Sequence, residues 1–269
     1  MKFIVCFSAL LLIPVTTQAQ TELLRATEGS AVGVEFLIPS FDTSPGLSYS
    51  GFIVVLSGNA AISQMISAKV EIPYVQSKTE FSGFGFNVSS SKGSVGNLYL
   101  GVGIGPANGT LSGEVGVRLP TFPEDNGPAA FSGFYGDFPA VERYLVQTTV
   151  IRAGLNFQPR VSDVVFFVTF HPSVWIPKGS GDSQWISYYG VGAAYEMDIF
   201  KVGAGVNGLW LMEKTGGFIS ANKKALHHFQ IEGNARFGMV RPGVMIRFPL
   251  DKELKTTKFT LGLSVDVLL

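Results

Sequence analysis

The chain has 269 residues, 20 basic and 20 acidic side chains, 46% hydrophobic residues, 32 Gly and 22 Phe. A neutral chain of this kind lacks the basic surplus that gathers phosphates, so nucleic acid is not an expected partner. Its single cysteine, Cys6, leaves no disulfide, thiolate metal site or cysteine nucleophile in the residues that follow.

The first residues read as an export signal. Lys2 gives a positive start, Phe3–Val15 is apolar, and Thr17-Gln18-Ala19 resembles a small-residue cleavage site. That apolar stretch is shorter than the roughly 20 residues a membrane-spanning helix needs. We therefore expect residues 1–19 to be removed, 20–30 to form a short N-terminal segment able to reach inward, and 31–269 to form one domain. Later in the chain no run is long and apolar enough for a spanning helix, so the hydrophobicity follows another pattern.

That pattern has period two. In chain order it predicts strands at Val32–Ile38, Phe52–Leu56, Ile66–Tyr74, Leu98–Ile104, Leu111–Leu119, Leu145–Phe157, Val164–Phe170, Trp185–Tyr195, Phe200–Met212, Phe229–Phe237, Val244–Phe248 and Phe259–Leu269. The last is the clearest: Phe259, Leu261, Leu263, Val265, Val267 and Leu269 alternate with Lys258, Thr260, Gly262, Ser264 and Asp266. In Phe229–Phe237 a helix would scatter Phe229, Ile231 and Phe237, whereas a strand puts them on one face.

The connections alternate in length. Long polar ones fall at 40–49, 75–93, 121–143, 173–182, 213–225 and 250–256, with short ones between. A two-sheet sandwich would also show period two but gives no reason for that alternation. We expect an all-β fold: a transmembrane antiparallel up-and-down β-barrel of about twelve strands in an outer membrane, with both termini periplasmic.

If the greasy faces meet lipid, the opposite faces line an interior. They place there Glu35, Lys69, Glu71, Glu114, Arg118, Arg152, Lys201, Glu232, Arg236, Arg241, Arg247 and Asp266. These mixed charges either pair across a narrow barrel or, with Arg247 and Lys258 toward the outer end, form a weakly anion-favouring constriction. About twelve strands enclose more space than eight, enough for a small solute to pass or lodge.

Phe131, Phe134, Tyr135 and Phe138 give the 121–143 connection the material for a sticky rim or lid, and 75–93 is a second connection that could be presented outside. His171, His227 and His228 fall near outer strand ends without a serine–histidine spacing, so the chain is not expected to be an enzyme. Gly203, Gly205 and Gly208 have dinucleotide-motif spacing but lie inside an alternating strand, so no cofactor is expected.

Val70-Glu71-Ile72-Pro73-Tyr74, Gly93-Ser94-Val95-Gly96-Asn97-Leu98-Tyr99-Leu100-Gly101 and Val117-Arg118-Leu119-Pro120-Thr121 together resemble the MetA-type outer-membrane transporters associated with phenol-degradation pathways. That group is distantly similar to barrels importing hydrophobic compounds. Asn97 stands where members often carry an acidic residue, and Leu269 where proteobacterial barrels commonly end in an aromatic. The resemblance implies a passive channel or carrier for small, hydrophobic solutes. The partners would be outer-membrane lipid, the solute, and the outer-membrane assembly machinery during biogenesis. The alternative is a non-transporting barrel that stabilises the envelope or displays its loops.

Overall fold

The computed structural model describes residues 30–42, 45–83, 86–106, 109–179, 181–211 and 224–269. The expected signal at 1–19 and all but Ser30 of the segment after it lie outside the described residues.

Fourteen strands follow among the described residues: β1 (Ala31–Phe41), β2 (Leu47–Ala61), β3 (Ile66–Gly83), β4 (Phe86–Val95), β5 (Leu98–Ile104), β6 (Leu111–Leu119), β7 (Thr148–Phe157), β8 (Arg160–Val161), β9 (Val164–Pro177), β10 (Gln184–Glu196), β11 (Phe200–Leu211), β12 (Ala225–Ala235), β13 (Val240–Pro249) and β14 (Thr257–Leu268). Twelve of them close into an antiparallel barrel in chain order, the first strand pairing with the last through Ala31↔Leu268 and Gly33↔Asp266. Only β4 and β8 stand off the ring, paired to β3 and β9. Closure leaves the twelve-stranded ring without a free edge, so its ladders pair around the wall as a spanning barrel requires.

Side-chain alternation sets the two faces. Along β1, Val32, Phe36 and Ile38 are 44–47% exposed, while Glu35 and Leu37 are at most 5% exposed. The same holds around the ring, with Leu56, Ile72, Leu100, Val115, Ile151, Val168, Val191, Ile231, Val244 and Leu263 pointing out. An outer surface of Val, Ile, Leu and Phe around a polar interior inverts the ordinary soluble arrangement, and only hydrocarbon makes it favourable. The short turns and both described ends share one rim, where the Leu269 N–H donates to the Ser30 carbonyl at 3.2 Å.

The structure bears out the closed barrel and amends three details. First, β12 runs Ala225–Ala235 rather than 229–237, because the chain turns at Gly238 with φ +61° and Phe237 instead bridges Val240 across that turn. Second, the expected connection at 75–93 is largely strand: β3 continues to Gly83 and returns as β4, a hairpin extending past the wall. The switch falls at Pro73, below which β3 pairs β5 and above which it pairs β4.

Third, the 121–143 connection is not an exposed rim. It folds into the barrel as α1 (Gly127–Gly136) followed by a 3₁₀ stretch, Phe138–Tyr144, with a proline in the first turn of each. Its α1 side packs with Leu37, Ile53, Val55 and Val75, and its 3₁₀ side with Trp175, Ile186, Tyr188, Leu209 and Leu226. Inward apolar positions high in the barrel thus gain a core, at roughly 1.5–3 kcal/mol for each fully buried side chain. Phe131, Phe134 and Tyr135 stack on one another, with Phe41 and Tyr49 completing the group.

Candidate functional site

The inserted loop has a neck, a middle and a tip, each fixed by different chemistry. At the neck, Asn97 stands just before β5 and is wholly buried. Its Nδ2 donates to the carbonyls of Leu145 at 2.8 Å and Glu142 at 3.1 Å, and its Oδ1 accepts from the Phe122 N–H at 3.0 Å. One side chain thereby ties the outgoing and returning strands of the loop to the wall. Thr121 adds a hydroxyl donated to the Gly96 carbonyl at 2.6 Å. These residues belong to the short motifs that carry the family resemblance.

In the middle, a continuous chain of opposite charges crosses the lumen. Lys69 pairs with Glu114, which also accepts from Arg152 at 2.7 Å. Arg152 reaches Glu142 of the loop at 2.8 Å, and Glu142 accepts from Arg118 at 2.9 Å. Arg118 donates to Glu71 at 2.6 Å, Glu71 faces Arg143 at 3.4 Å, and Arg143 donates to Asp137 at 2.6 Å. Asp137 finally meets Arg247 on the far wall at 3.3 Å. The Tyr99 ring lies 4.8 Å from the Arg118 guanidinium and 5.3 Å from that of Arg152, a cation–π position for both. Gly116 makes that possible, since a Cβ there would stand 2.3 Å from the Tyr99 hydroxyl oxygen.

Burial of ions on this scale is tolerable only because each charge has partners on both sides. Glu142 illustrates the balance: burial, the largest influence, raises its pKa, but Arg152 and Arg118 outweigh that and hold the carboxyl below its ordinary value.

At the tip, the Thr257 and Thr260 hydroxyls each donate at 2.9 Å, to the carbonyls of Tyr135 and Gly136. Phe138 lies against His228, with ring centroids 5.0 Å apart. The tip therefore touches β12–β14, across the ring from the neck at β5.

Of the residues expected to line the lumen, Lys69, Glu71, Glu114, Arg118, Arg152 and Arg247 fall in this chain of charges. Glu35, Glu232, Arg241 and Asp266 are buried on inward positions elsewhere, with Gln230 donating to Glu232 at 2.6 Å and Arg241 paired to Asp266 at 3.3 Å; Lys201 is half-buried. Arg236 is corrected: it lies in the exposed turn after β12, its Nε donating to the Gly238 carbonyl at 3.4 Å, because the strand has already ended. Lys258 is exposed beside Asp42, and Arg247 is met by Asp137, so neither supplies the surplus of positive charge expected at the upper lumen.

Sequence reasoning missed Asp137, Glu142 and Arg143 because they stand in a segment read as an outer loop. The available signal was three charges among the otherwise apolar and small residues 127–145.

Toward the short-turn rim the lumen opens as a vestibule with a cavity of about 80 Å³, lined by Asn59, Ser67, Lys69, Glu114, Asn156 and neighbouring residues. Beyond it, Phe138, Val141, Tyr144 and Leu145 of the loop are each 2% exposed, so the middle of the barrel is filled. At the opposite rim, on the outer face, Tyr189 Oη stands 2.6 Å from His227 Nε2, and His227 Nδ1 stands 2.8 Å from Asp251.

No protein-family model matches the chain, and no curated protein matches it. Solved structures do. An outer-membrane channel from Pseudomonas putida F1 is 12% identical and superposes with a TM-score of 0.59, over 93% of this chain and all of that one. The β domain of the Bordetella autotransporter BrkA is 9% identical with a TM-score of 0.50, over 90% of this chain and all of that one. At such identities what is shared is the architecture, a closed antiparallel barrel of the outer-membrane kind.

Other barrels are similar at lower superposition scores. LpxR from Salmonella typhimurium, 10% identical with a TM-score of 0.41 over 89% of this chain and all of that one, is among them. A channel and an autotransporter β domain share this architecture, so it settles no activity, and the expectation that the chain is not an enzyme is withdrawn.

Proposed function

We propose that this chain is an outer-membrane channel or carrier for small, hydrophobic solutes, exported by a signal at residues 1–19 and held closed by the loop between Phe122 and Leu145. One observation supports this above the rest. A loop fixed at its neck by Asn97 reaches across a twelve-stranded lumen between a polar-lined vestibule and the long-loop end. Twelve strands enclose more space than wall side chains alone fill, so closure falls to an inserted segment. Here the filling is a single returning segment, joined to the far wall by few bonds at its tip.

The solute class draws on the aromatic group formed by Phe41, Tyr49, Phe131, Phe134 and Tyr135 beside the tip, and on the resemblance of the motifs around Pro73, Asn97 and Arg118. The buried charges of the lumen, including Glu71, Glu114, Arg118 and Arg152, are the groups a solute would pass once the loop moved. A second reading, a barrel that transports nothing and presents the β3–β4 hairpin outside, is favoured by the projection of that hairpin beyond the wall.

Refolding the mature chain into liposomes and measuring swelling in solutes of graded size and polarity separates the two readings. Uptake that falls off with solute size supports the channel. A barrel shown to be folded by its heat-shifted gel mobility, yet giving no swelling with any solute, contradicts it.

A further inference from the structure

We propose that His228 is a proton-operated latch for the inserted loop, and that protonating its imidazole frees residues 135–138 from β12–β14. The proposal deepens the channel reading, but release of the tip can be measured without any flux.

The loop's fastenings are unequal. Its neck is held by three buried hydrogen bonds to Asn97 and by the ion pairs of Glu142 and Arg143 with β3, β6 and β7. Its tip has two threonine hydroxyls on main-chain carbonyls, one ion pair at 3.3 Å and the Phe138–His228 ring contact. Motion about a fixed neck displaces the tip most, and the tip has the fewest polar fastenings, its remaining hold being the apolar packing of Phe138 among Trp175, Ile186, Leu209 and Leu226.

His228 sits at that seam. It is 4% exposed, and neither ring nitrogen has a hydrogen-bond partner among the described residues. A small cavity beside it is shared by Tyr135, Phe138, Arg247, Leu254, Thr257 and Thr260. A neutral imidazole has one donor and one acceptor, so it is already undersatisfied there.

The charges around it decide what a proton does. From β13 comes Arg247, bound to Gln230 and Asp137. From the loop comes Asp137, already shared between Arg143 and Arg247. His227, next on the same strand, faces the other side and bonds Asp251 of the following connection. The loop's other contributions are the Tyr135 and Phe138 rings, and β14 supplies two threonines. A proton on His228 would therefore stand beside Arg247 with the only loop carboxylate there already doubly engaged. Hydrating the new cation requires water in the seam, and water enters when the tip lifts.

The chain's one cysteine is Cys6, so expression from residue 20 with a Tyr135→Cys substitution gives a single thiol at the tip. Labelling with a dithiodipyridine, which reacts in acid, is compared in steps from about pH 8 down to about pH 4, past the range of an ordinary imidazole. In the chain carrying native His228 we expect labelling at least about 10-fold faster in acid, and in His228→Gln and His228→Asn no such acceleration. Heat-shifted mobility confirms that each variant is folded, and two variants guard against one failing to fold.

Equal acceleration with and without His228, or no acceleration with it, overturns the latch. Conductance recorded on chains retaining Tyr135 should rise in acid in parallel. Acid-driven labelling without conductance at either pH upholds the latch and defeats the channel reading.

Discussion

Asn97 and Leu145 stand 48 positions apart, yet the amide of the first donates to the carbonyl of the second at 2.8 Å in a fully buried setting. The residue just before β5 is thus also the residue that closes the loop's neck. The wall and the filling of the barrel are specified at one position.

Replacing Asn97 with alanine leaves the Leu145 and Glu142 carbonyls and the Phe122 N–H without that partner, a cost of about 1–3 kcal/mol. We expect Asn97→Ala to lower the thermal midpoint in detergent and to open residues 121–147 to protease while the barrel stays heat-modifiable. Asn97→Asp should retain the Phe122 bond and lose both donations, giving an intermediate result. Unchanged protease resistance in both variants would show that the neck is held elsewhere.

Arg118 bonds Glu71 on the wall and Glu142 on the loop, at 1% exposure. Arg118→Met takes one partner from each of two carboxylates, Glu142 keeping Arg152 and Glu71 keeping Arg143, and losing one partner of a buried pair costs roughly 3–5 kcal/mol. Adding Glu71→Gln and Glu142→Gln to Arg118→Met should recover part of that loss, because the two carboxylates go with the guanidinium while Arg143 keeps Asp137 and Arg152 keeps Glu114. A triple variant no more stable than Arg118→Met alone would mean that the network is not what penalises the single change.

Neighbouring positions on β12 test which face meets lipid. Ile231 points out and Glu232 points in. Ile231→Arg should destabilise the barrel in a bilayer by about 2–4 kcal/mol, the cost of a mid-membrane charge, while Glu232→Gln changes it little. The reverse order in denaturant titrations in vesicles would invert the assignment of faces.

The wall was legible because period two survives along most of its strands, β1 and β9 above all, and because lumen residues such as Glu71 and Arg152 stand out against their apolar neighbours. The filling was not. Residues 121–143 contain Pro, Gly, Ser and aromatics in a pattern an outer loop would also show, and only partners distant in sequence draw Asp137, Glu142 and Arg143 inward. Arg236 failed for a local reason: alternation continues past Ala235 in the sequence, while Gly238 turns the backbone. Asn97 was visible within a motif, but its partners at Phe122, Glu142 and Leu145 were not.

Acid should affect neck and tip differently. Because the folded-state pKa of Glu142 lies below its ordinary value, its contribution to stability is fully present above the usual carboxylate range of about 4.3. It is lost only as pH falls below that range, through the lowered folded-state value. Protease resistance of the neck should thus be the same at neutral pH and in mild acid, and should fall only in stronger acid. In Glu142→Gln that strong-acid step should shrink. Loss of neck protection already in mild acid would contradict the balance of charges drawn around Glu142.

The most direct measurement is single-channel conductance of the refolded barrel with residues 123–144 replaced by a flexible Gly-Ser linker of about six residues. If the loop is what closes the lumen, the shortened chain gives a larger and steadier conductance than the intact one. If the two conduct alike while both remain heat-modifiable, the loop does not occlude the path and the proposed mechanism is wrong.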